Sequence, residues 1–113
     1  MIKNKTRDTT IIEDKKLITS ILSKAIGLMF SKKQKKALIF IFDREKIVPL
    51  HNCFVFYPID ILFLDKNKKV VEKKESFRPF SFYTPKNRSK YVIELPEKTI
   101  KNSKTEINDL IEF

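Results

Sequence analysis

The chain has 113 residues, of which 42% are hydrophobic and 34% charged, and this excludes a disordered protein, since disorder combines high charge with low hydrophobicity. No apolar run reaches the roughly 18 residues of a membrane-spanning helix, and residues 1–7 lack the apolar segment of a signal peptide. The single cysteine, Cys53, excludes an internal disulfide, so we expect one cytoplasmic domain over residues 1–113, with flexibility confined to residues 1–8.

The net charge of +10 favours nucleic acid as a partner, because neutralising phosphates releases counterions. However, the 20 lysines are scattered in pairs through the predicted loops, and only 4 arginines accompany them. This distribution is also typical of a solvated surface. Charge therefore leaves nucleic-acid binding open as an alternative.

The N-terminal third of the chain predicts two strands separated by a helix. Thr9–Ile12 is β-branched and predicts a short strand. Apolar residues from Leu17 to Met29 recur at the spacing of an amphipathic helix, which Gly27, the only glycine, would end in a left-handed conformation. After the lysine-rich loop 31–36, the short apolar run Ala37–Phe42 favours a buried strand.

The middle of the chain predicts a turn and two further strands. Residues 43–46 are polar and predict a turn, and residues 47–57 alternate as in a long strand. Pro58 interrupts that strand because it has no N–H for a ladder. The strand 59–64 is apolar on both faces apart from Asp60, so we expect it to be central in its sheet.

The C-terminal half predicts a hairpin turn at residues 65–68, where Asn67 tolerates positive φ. The aromatic segment Phe77–Pro85, bracketed by prolines, is interpreted as an ordered loop or an edge strand. Further strands are predicted over residues 69–73, 91–95 and 110–113, with a short helix over 96–102. The fold class is therefore mainly β (α+β), an antiparallel β-barrel or sandwich of about six strands with one or two short helices.

Four blocks together carry a family resemblance. They are Gly27–Phe30 (GLMF), Ala37–Phe42 (ALIFIF), Phe56–Asp65 (FYPIDILFLD) with Val70–Val71, and Lys90–Pro96 (KYVIELP). In order and spacing the chain resembles the family called domain of unknown function 192, or uncharacterised protein family 0127, over nearly its whole length. The resemblance implies a compact single-domain β fold with short helices, and it implies no established activity.

The chain also departs from that family at identifiable positions. Related bacterial sequences often carry Trp-Met-Lys-Asn-Thr where this chain has His51–Val55. Turn glycines usual in the family are replaced by Lys68, Lys98 and Asn108. A lysine held at positive φ would cost about 1 kcal/mol, so these turns either carry that cost or are rebuilt.

Asp60 is the leading candidate for a site, because an ionised carboxyl in an apolar run must be bonded, paired or protonated. A structural carboxylate would accept backbone N–H bonds from a nearby loop. An enzyme centred on Asp60 would instead show an open pocket and a free carboxylate oxygen. The main functional hypothesis is a non-enzymatic binding module for an unknown small ligand or protein, contacted by Asp60, His51, Tyr57 and Arg78.

His51 and Cys53 share a predicted strand face and raise two chemical alternatives. A nucleophile-and-base pair would need an activating motif, and none surrounds either residue. A metal site with Asp60 has no supporting ligand spacing. We therefore predict no metal and no cofactor.

The alternative function is nucleic-acid association through a basic, aromatic loop. Stacking and phosphate contacts would come from five residues: Arg78, Phe80, Tyr83, Arg88 and Lys90. The competing interpretation is that the aromatic side chains fill the core, since the chain has no glycine-rich phosphate loop or recognised RNA motif.

Overall fold

The computed structural model describes residues 1–18, 37–51 and 57–113. The predictions for residues 19–36, including the Gly27 cap, and for Cys53 lie outside these residues. Within the described part, no helix is long and apolar enough to cross a membrane.

The main sheet of the described chain has five strands. In spatial order they are β3 (Lys15–Ile18), β4 (Ala37–Lys46), β9 (Ser89–Pro96), β6 (Ile59–Leu64) and β7 (Val70–Phe77). The β3/β4 pair is parallel, and the other three pairs are antiparallel. β6 is flanked by β9 and β7, which confirms the prediction of a central strand.

Smaller elements flank this sheet. A three-stranded antiparallel sheet has the order β10 (Ile111–Glu112), β1 (Ile2–Asn4) and β2 (Thr9–Ile12). β5 (Leu50–His51) and β8 (Phe82–Tyr83) pair as a two-stranded ribbon, and the short helix α1 (Thr99–Asn102) follows β9. The mainly β prediction is confirmed, and the described pairings form separate sheets.

The main sheet buries both of its faces, and β6 is buried along its whole length. On one face Leu62 and Leu64 pack with Ile93 and with Ile100 of α1; we call this the helix side. On the other face Ile61 and Phe63 pack with residues that include Phe40, Val48, Leu50, Phe77 and Val92; we call this the ribbon side. Period-two alternation along each strand therefore decides which core a side chain enters.

Three predicted boundaries are wrong. Residues 43–46 continue β4, with Lys46 opposite Ser89 after a register shift, instead of forming a turn. Leu17 and Ile18 lie in β3 opposite Ile39 and Phe40, so no helix begins there. In both cases pairing with a distant strand outweighs local propensity. The helix predicted from Pro96 begins at Thr99, because Pro96 is the last residue of β9 opposite Ile59.

Other predictions are confirmed or refined. β6 begins directly after Pro58, and β8 confirms an edge element within the aromatic segment. Of the strand predicted over 47–57, the described part contains only Leu50–His51 as strand. The hairpin between β6 and β7 is present, but Lys68, with φ 64°, holds the left-handed conformation expected for Asn67.

The family's turn conformations persist without glycine. Lys68, Lys98 and Asn108 have φ values of 64°, 73° and 76°. The turns are therefore not rebuilt, and the chain carries the cost of a β-carbon in the left-handed region. Lys68 places its Nζ 4.1 Å from the ring centroid of Phe113, a cation–π contact that offsets part of this cost.

Residues 2–4, within the segment for which the sequence predicted flexibility, form β1. Ile2 is buried in the helix-side core. The Asn4 side-chain amide is also buried and donates to Thr105 at 3.1 Å and to Asp109 at 2.9 Å. Contacts with residues more than 100 positions away hold this segment, and local sequence does not encode them.

Candidate functional site

Asp60 lies on the helix side of β6 with no exposed surface. Its Oδ1 accepts the backbone N–H of Ser76 at 3.0 Å, and its Oδ2 accepts that of Ile100 at 3.0 Å. Ser76 belongs to β7 and has φ 51°, and Ile100 lies in the first turn of α1. The carboxylate thus joins three elements and satisfies N–H groups that would otherwise lack partners.

This arrangement is what the structural interpretation of Asp60 requires. A buried acceptor with a backbone donor on each oxygen is stabilising, and removing it would leave two buried N–H groups unpaired. The enzyme hypothesis required an accessible, unbonded oxygen at this position, and the geometry does not provide one. The ligand-binding role of Asp60 stays a prediction.

Glu72 on β7 is a second buried carboxylate, and it anchors the aromatic segment. Its Oε1 accepts the backbone N–H groups of Lys86 and Asn87 at 2.9 and 3.0 Å and the side-chain amide of Asn87 at 3.0 Å. Its Oε2 accepts a short hydrogen bond from the Tyr83 hydroxyl. One side chain therefore fixes both β8 and the loop that follows it.

This network changes the titration of both partners. Burial acts to raise the pKa of Glu72, but the hydrogen bonds from Tyr83, Asn87 and Lys86 outweigh it and lower that pKa below its ordinary value. Burial and the bond to Glu72 raise the pKa of Tyr83 to about 12. At neutral pH the pair is therefore a carboxylate held by a neutral phenol.

The loop between β7 and β8, together with the first residue of β8, presents two aromatic side chains to solvent. Phe80 is 62% exposed and Phe82 is 78% exposed, whereas Phe63 and Phe77 are buried. Phe80 has φ 59°, a conformation that costs a non-glycine residue about 1 kcal/mol. Arg78 adjoins them and is exposed. The prediction that all these aromatics fill the core is wrong for Phe80 and Phe82.

Glu94 on β9 is a third buried carboxyl, 6% exposed, and it differs from the other two. Its Oε1 has no hydrogen-bond partner among the described residues. Burial raises the pKa of Glu94 to about 8, because a low-polarity environment disfavours the charged form. At neutral pH this group is therefore mostly a neutral carboxylic acid.

Two of the four residues predicted to form one ligand-binding face, Asp60 and Tyr57, lie on opposite sides of the main sheet. Asp60 faces the helix side, whereas Tyr57 packs against the ribbon-side core. His51 lies in β5 opposite Phe82, and its side chain is outside the described atoms. Arg78 follows β7. Tyr57 and Asp60 are three residues apart, and along an extended chain this odd spacing places two side chains on opposite faces.

The nucleic-acid candidates are also divided. Arg78, Phe80 and Arg88 are exposed and Lys90 is partly buried. Tyr83 is partly buried, and its ring lies 6.0 Å from that of Phe63 between centroids. The hydroxyl of Tyr83 donates a hydrogen bond to Glu72. Tyr83 therefore helps to hold the segment that carries the exposed candidates and is not itself exposed with them.

Sequence reasoning missed Glu72 and Glu94. Glu94 could have been found by the signal that revealed Asp60, an acid within an apolar run, here Tyr91–Leu95. Glu72 has no such signal, because it lies among lysines and glutamates and its partners Tyr83, Lys86 and Asn87 come from a later segment, residues 83–87.

The geometry defines a class of protein: a small, mainly β domain in which buried carboxylates hold loops and a helix against one central sheet. The DUF192 family model, described as "Uncharacterized ACR", matches residues 2–113, and the chain belongs to this family. The predicted resemblance is confirmed.

Relatives and solved structures agree with this assignment. The chain is similar to UPF0127 protein PH1112 of Pyrococcus horikoshii, with 34% identity over 100% of this chain and 98% of that protein. UPF0127 protein PF1050 of Pyrococcus furiosus is 31% identical over 97% and 95% of the two chains.

Two crystal structures share the fold. A protein from Sinorhizobium meliloti 1021, described as a candidate transcription regulator, superposes with a TM-score of 0.79 and 22% identity, covering 87% of this chain and 79% of that one. A protein of unknown function from Novosphingobium aromaticivorans DSM 12444 has a TM-score of 0.77 and 17% identity, covering 88% and 74%. At these identities the likeness concerns the fold.

Proposed function

We propose that this protein is a non-enzymatic binding module that contacts a protein partner through the surface formed by Arg78, Phe80 and Phe82. The observation that carries the proposal is the exposure of Phe80 and Phe82, at 62% and 78%. Aromatic side chains, phenylalanine among them, and arginine are enriched at protein interfaces relative to the rest of the surface.

The anchoring of the segment supports this function. Glu72 accepts hydrogen bonds from Tyr83, Lys86 and Asn87, so the chain that carries Phe82 is fixed at its C-terminal side. A surface that is ordered before binding loses less conformational entropy when a partner arrives. Of the predicted ligand-binding residues, Arg78 belongs to this surface, and His51 lies in β5 opposite Phe82.

A photo-crosslinking experiment tests the proposal. We expect a benzoylphenylalanine at position 82 to give a discrete adduct in a lysate of the source organism, and excess unlabelled wild-type protein to suppress it. The double variant Phe80→Ser/Phe82→Ser should not suppress it, and urea unfolding of this variant beside the wild type shows whether it is folded under the conditions of the assay.

The matched control places the same crosslinker at Ile107, which is 42% exposed and lies after α1. Equal adducts at positions 82 and 107, or suppression by the double variant, would contradict the proposal. So would the absence of any adduct at position 82.

Nucleic-acid association is the second candidate, favoured by the exposure of Arg78, Phe80 and Arg88 on a chain of net charge +10. Its test is the anisotropy of a fluorescent single-stranded RNA. An electrostatic complex should weaken steeply between low and moderate salt, and Phe80→Ala should weaken it further by loss of stacking. Binding that is insensitive to salt would exclude this candidate.

A further inference from the structure

Glu94 lies in the middle of a row of residues that crosses the main sheet. Its Cα is opposite Leu38 of β4 on one side and Ile61 of β6 on the other, and Ile61 is opposite Lys74 of β7. Glu94 alternates with Val92, which belongs to the ribbon-side core, so its carboxyl group faces that core. The acid therefore sits between two apolar neighbours.

The other buried carboxylates of the described chain are bonded. Asp60 accepts two backbone N–H groups, and Glu72 has donors on both oxygens. Asp109 accepts from Asn4, Arg7 and Glu106. Glu94 alone among these four leaves Oε1 without a described donor. A buried polar atom in this state destabilises the fold, and a hydrogen-bond donor at that atom would remove the penalty.

The chain's own cations do not remove that cost. Lys74 is two strands away in the row, roughly 9 to 10 Å between Cα atoms. Its Nζ lies 5.4 Å from the ring centroid of Tyr83 instead of beside Glu94. Lys46, on β4, lies over the ring of Phe42 at 4.7 Å. In a chain with 20 lysines, the described ones leave this carboxyl without a counter-ion.

We propose that Glu94 is the recognition group of a ligand site on the ribbon side, which takes a primary ammonium group attached to an apolar or aromatic body. The ammonium group would donate to Oε1 of Glu94. The apolar body would pack among side chains such as Leu38, Phe40 and Ile61. This site is separate from the Phe80 and Phe82 surface and does not depend on it.

Three features support this ligand class. As a residue Glu94 retains 6% exposure, and Leu38, its opposite neighbour on β4, is only partly buried, so this row of residues comes close to the surface at Leu38. The surrounding core is aliphatic and aromatic. A charge-assisted hydrogen bond is stronger than a neutral one and strengthens further in an apolar environment.

Ligand binding should release a proton. Burial raises the pKa of Glu94 to about 8, so the free protein carries a proton there at pH 7 that an ammonium group would displace. Other titratable groups on the ribbon side would contribute to the electrostatic field at Glu94. They are Lys46 on β4, Tyr57, Glu72 and Lys74 on β7, Tyr83 on β8, and Lys90 on β9.

Calorimetric titration with 2-phenylethylamine, using 2-phenylethanol as the uncharged probe of the same shape, tests the site. Binding in two buffers of different ionisation enthalpy should show about 0.9 proton released per amine at pH 7. Affinity should fall about tenfold between pH 7 and pH 6, because protonated Glu94 cannot accept the ammonium group as an ion. The alcohol should bind at least tenfold more weakly.

Glu94→Gln keeps the size of the side chain and should lose at least tenfold in amine affinity, whereas Glu112→Gln, at an exposed glutamate, should not change it. Carboxyl ¹³C NMR of the wild type gives a second measure: amine should move the titration of Glu94 to lower pH. Undetectable binding at millimolar amine, equal affinity for amine and alcohol, or full affinity in Glu94→Gln would each overturn the proposal.

Discussion

Oδ2 of Asp60 accepts the backbone N–H of Ile100 at 3.0 Å, across 40 residues of sequence. Ile100 belongs to a helix of only four residues, which is too short to be stable alone. Lys98, its N-cap residue, supplies no side-chain hydrogen bond. The buried carboxylate of the central strand therefore provides the capping interaction that the helix lacks.

Asp60→Asn is expected to lower the free energy of unfolding by about 2 to 3 kcal/mol, because the new amide donor must face the N–H of Ser76 or Ile100. Urea unfolding followed by circular dichroism measures this change. Asp43→Asn is the control: Asp43 is exposed and lies 4.0 Å from Lys46, so its loss should change stability by less than about 0.5 kcal/mol. Wild-type stability in Asp60→Asn would show that the two backbone bonds are dispensable.

From the raised pKa of Glu94 we expect the folded protein to lose stability as pH rises. The pKa of Glu94 is about 8 in the folded protein against an ordinary value of 4.5, so between these values the folded state holds a proton that the unfolded chain has released. Its contribution to stability is complete below pH 4.5 and declines as pH rises to 8, by at most about 1.4 kcal/mol per pH unit.

Unfolding free energies at pH 5.5, 6.5 and 7.5 should therefore fall less steeply in Glu94→Gln than in the wild type. The lowered pKa values of Glu72 and Asp109 act in the opposite sense. Their contributions are present above the unfolded pKa values and are lost as pH falls through the folded ones. Parallel pH profiles for wild type and Glu94→Gln would rule out a buried neutral acid at position 94.

Tyr83 should titrate at unusually high pH because of burial and its bond to Glu72, which raise the pKa of Tyr83 to about 12. The difference in ultraviolet titration between wild type and Tyr83→Phe isolates this phenol. In the Glu72→Gln background, the midpoint of this difference titration should move toward pH 10 but stay above it, since Tyr83 remains buried. An unchanged midpoint would mean that Glu72 does not hold the hydroxyl.

Lys98→Gly is expected to raise the free energy of unfolding by about 1 kcal/mol, because glycine adopts the φ of 73° without steric cost. Lys68→Gly should be nearly neutral, since the same relief is offset by losing a cation–π contact with Phe113 worth about 0.5 to 1 kcal/mol. Thermal and urea unfolding of both variants measure the difference.

Lys101→Gly provides the control for these lysines. Lys101 lies inside α1, where glycine is unfavourable by about 1 kcal/mol, so this variant should be destabilised. Destabilisation of Lys98→Gly to the same extent would show that the side chain of Lys98 makes a contribution larger than its backbone cost.

Local sequence was sufficient for several elements. The apolar run 59–64 with Pro58 before it predicted a central strand and its start, because burial on both faces leaves an unbroken hydrophobic pattern. The same run made Asp60 conspicuous. The four sequence blocks that resemble the family extended this prediction to a mainly β fold for the whole chain.

The strand status of residues 43–46 could not be predicted in this way. Their polar side chains favour a turn, yet Lys46 pairs with Ser89, 43 residues further along the chain. The burial of Glu72 could not be predicted from local sequence either, because it depends on residues 83–87 folding across this side chain.

The sequence by itself thus determined the fold class, the family and the presence of acids in apolar strands, since these depend on composition and short-range periodicity. Only the tertiary structure decided what each acid does. Asp60 meets two backbone donors from distant elements, whereas Glu94, in a similar apolar run, meets none that the structure describes. The difference arises because a hydrogen-bond partner is fixed by three-dimensional position, which the residues next to an acid do not encode.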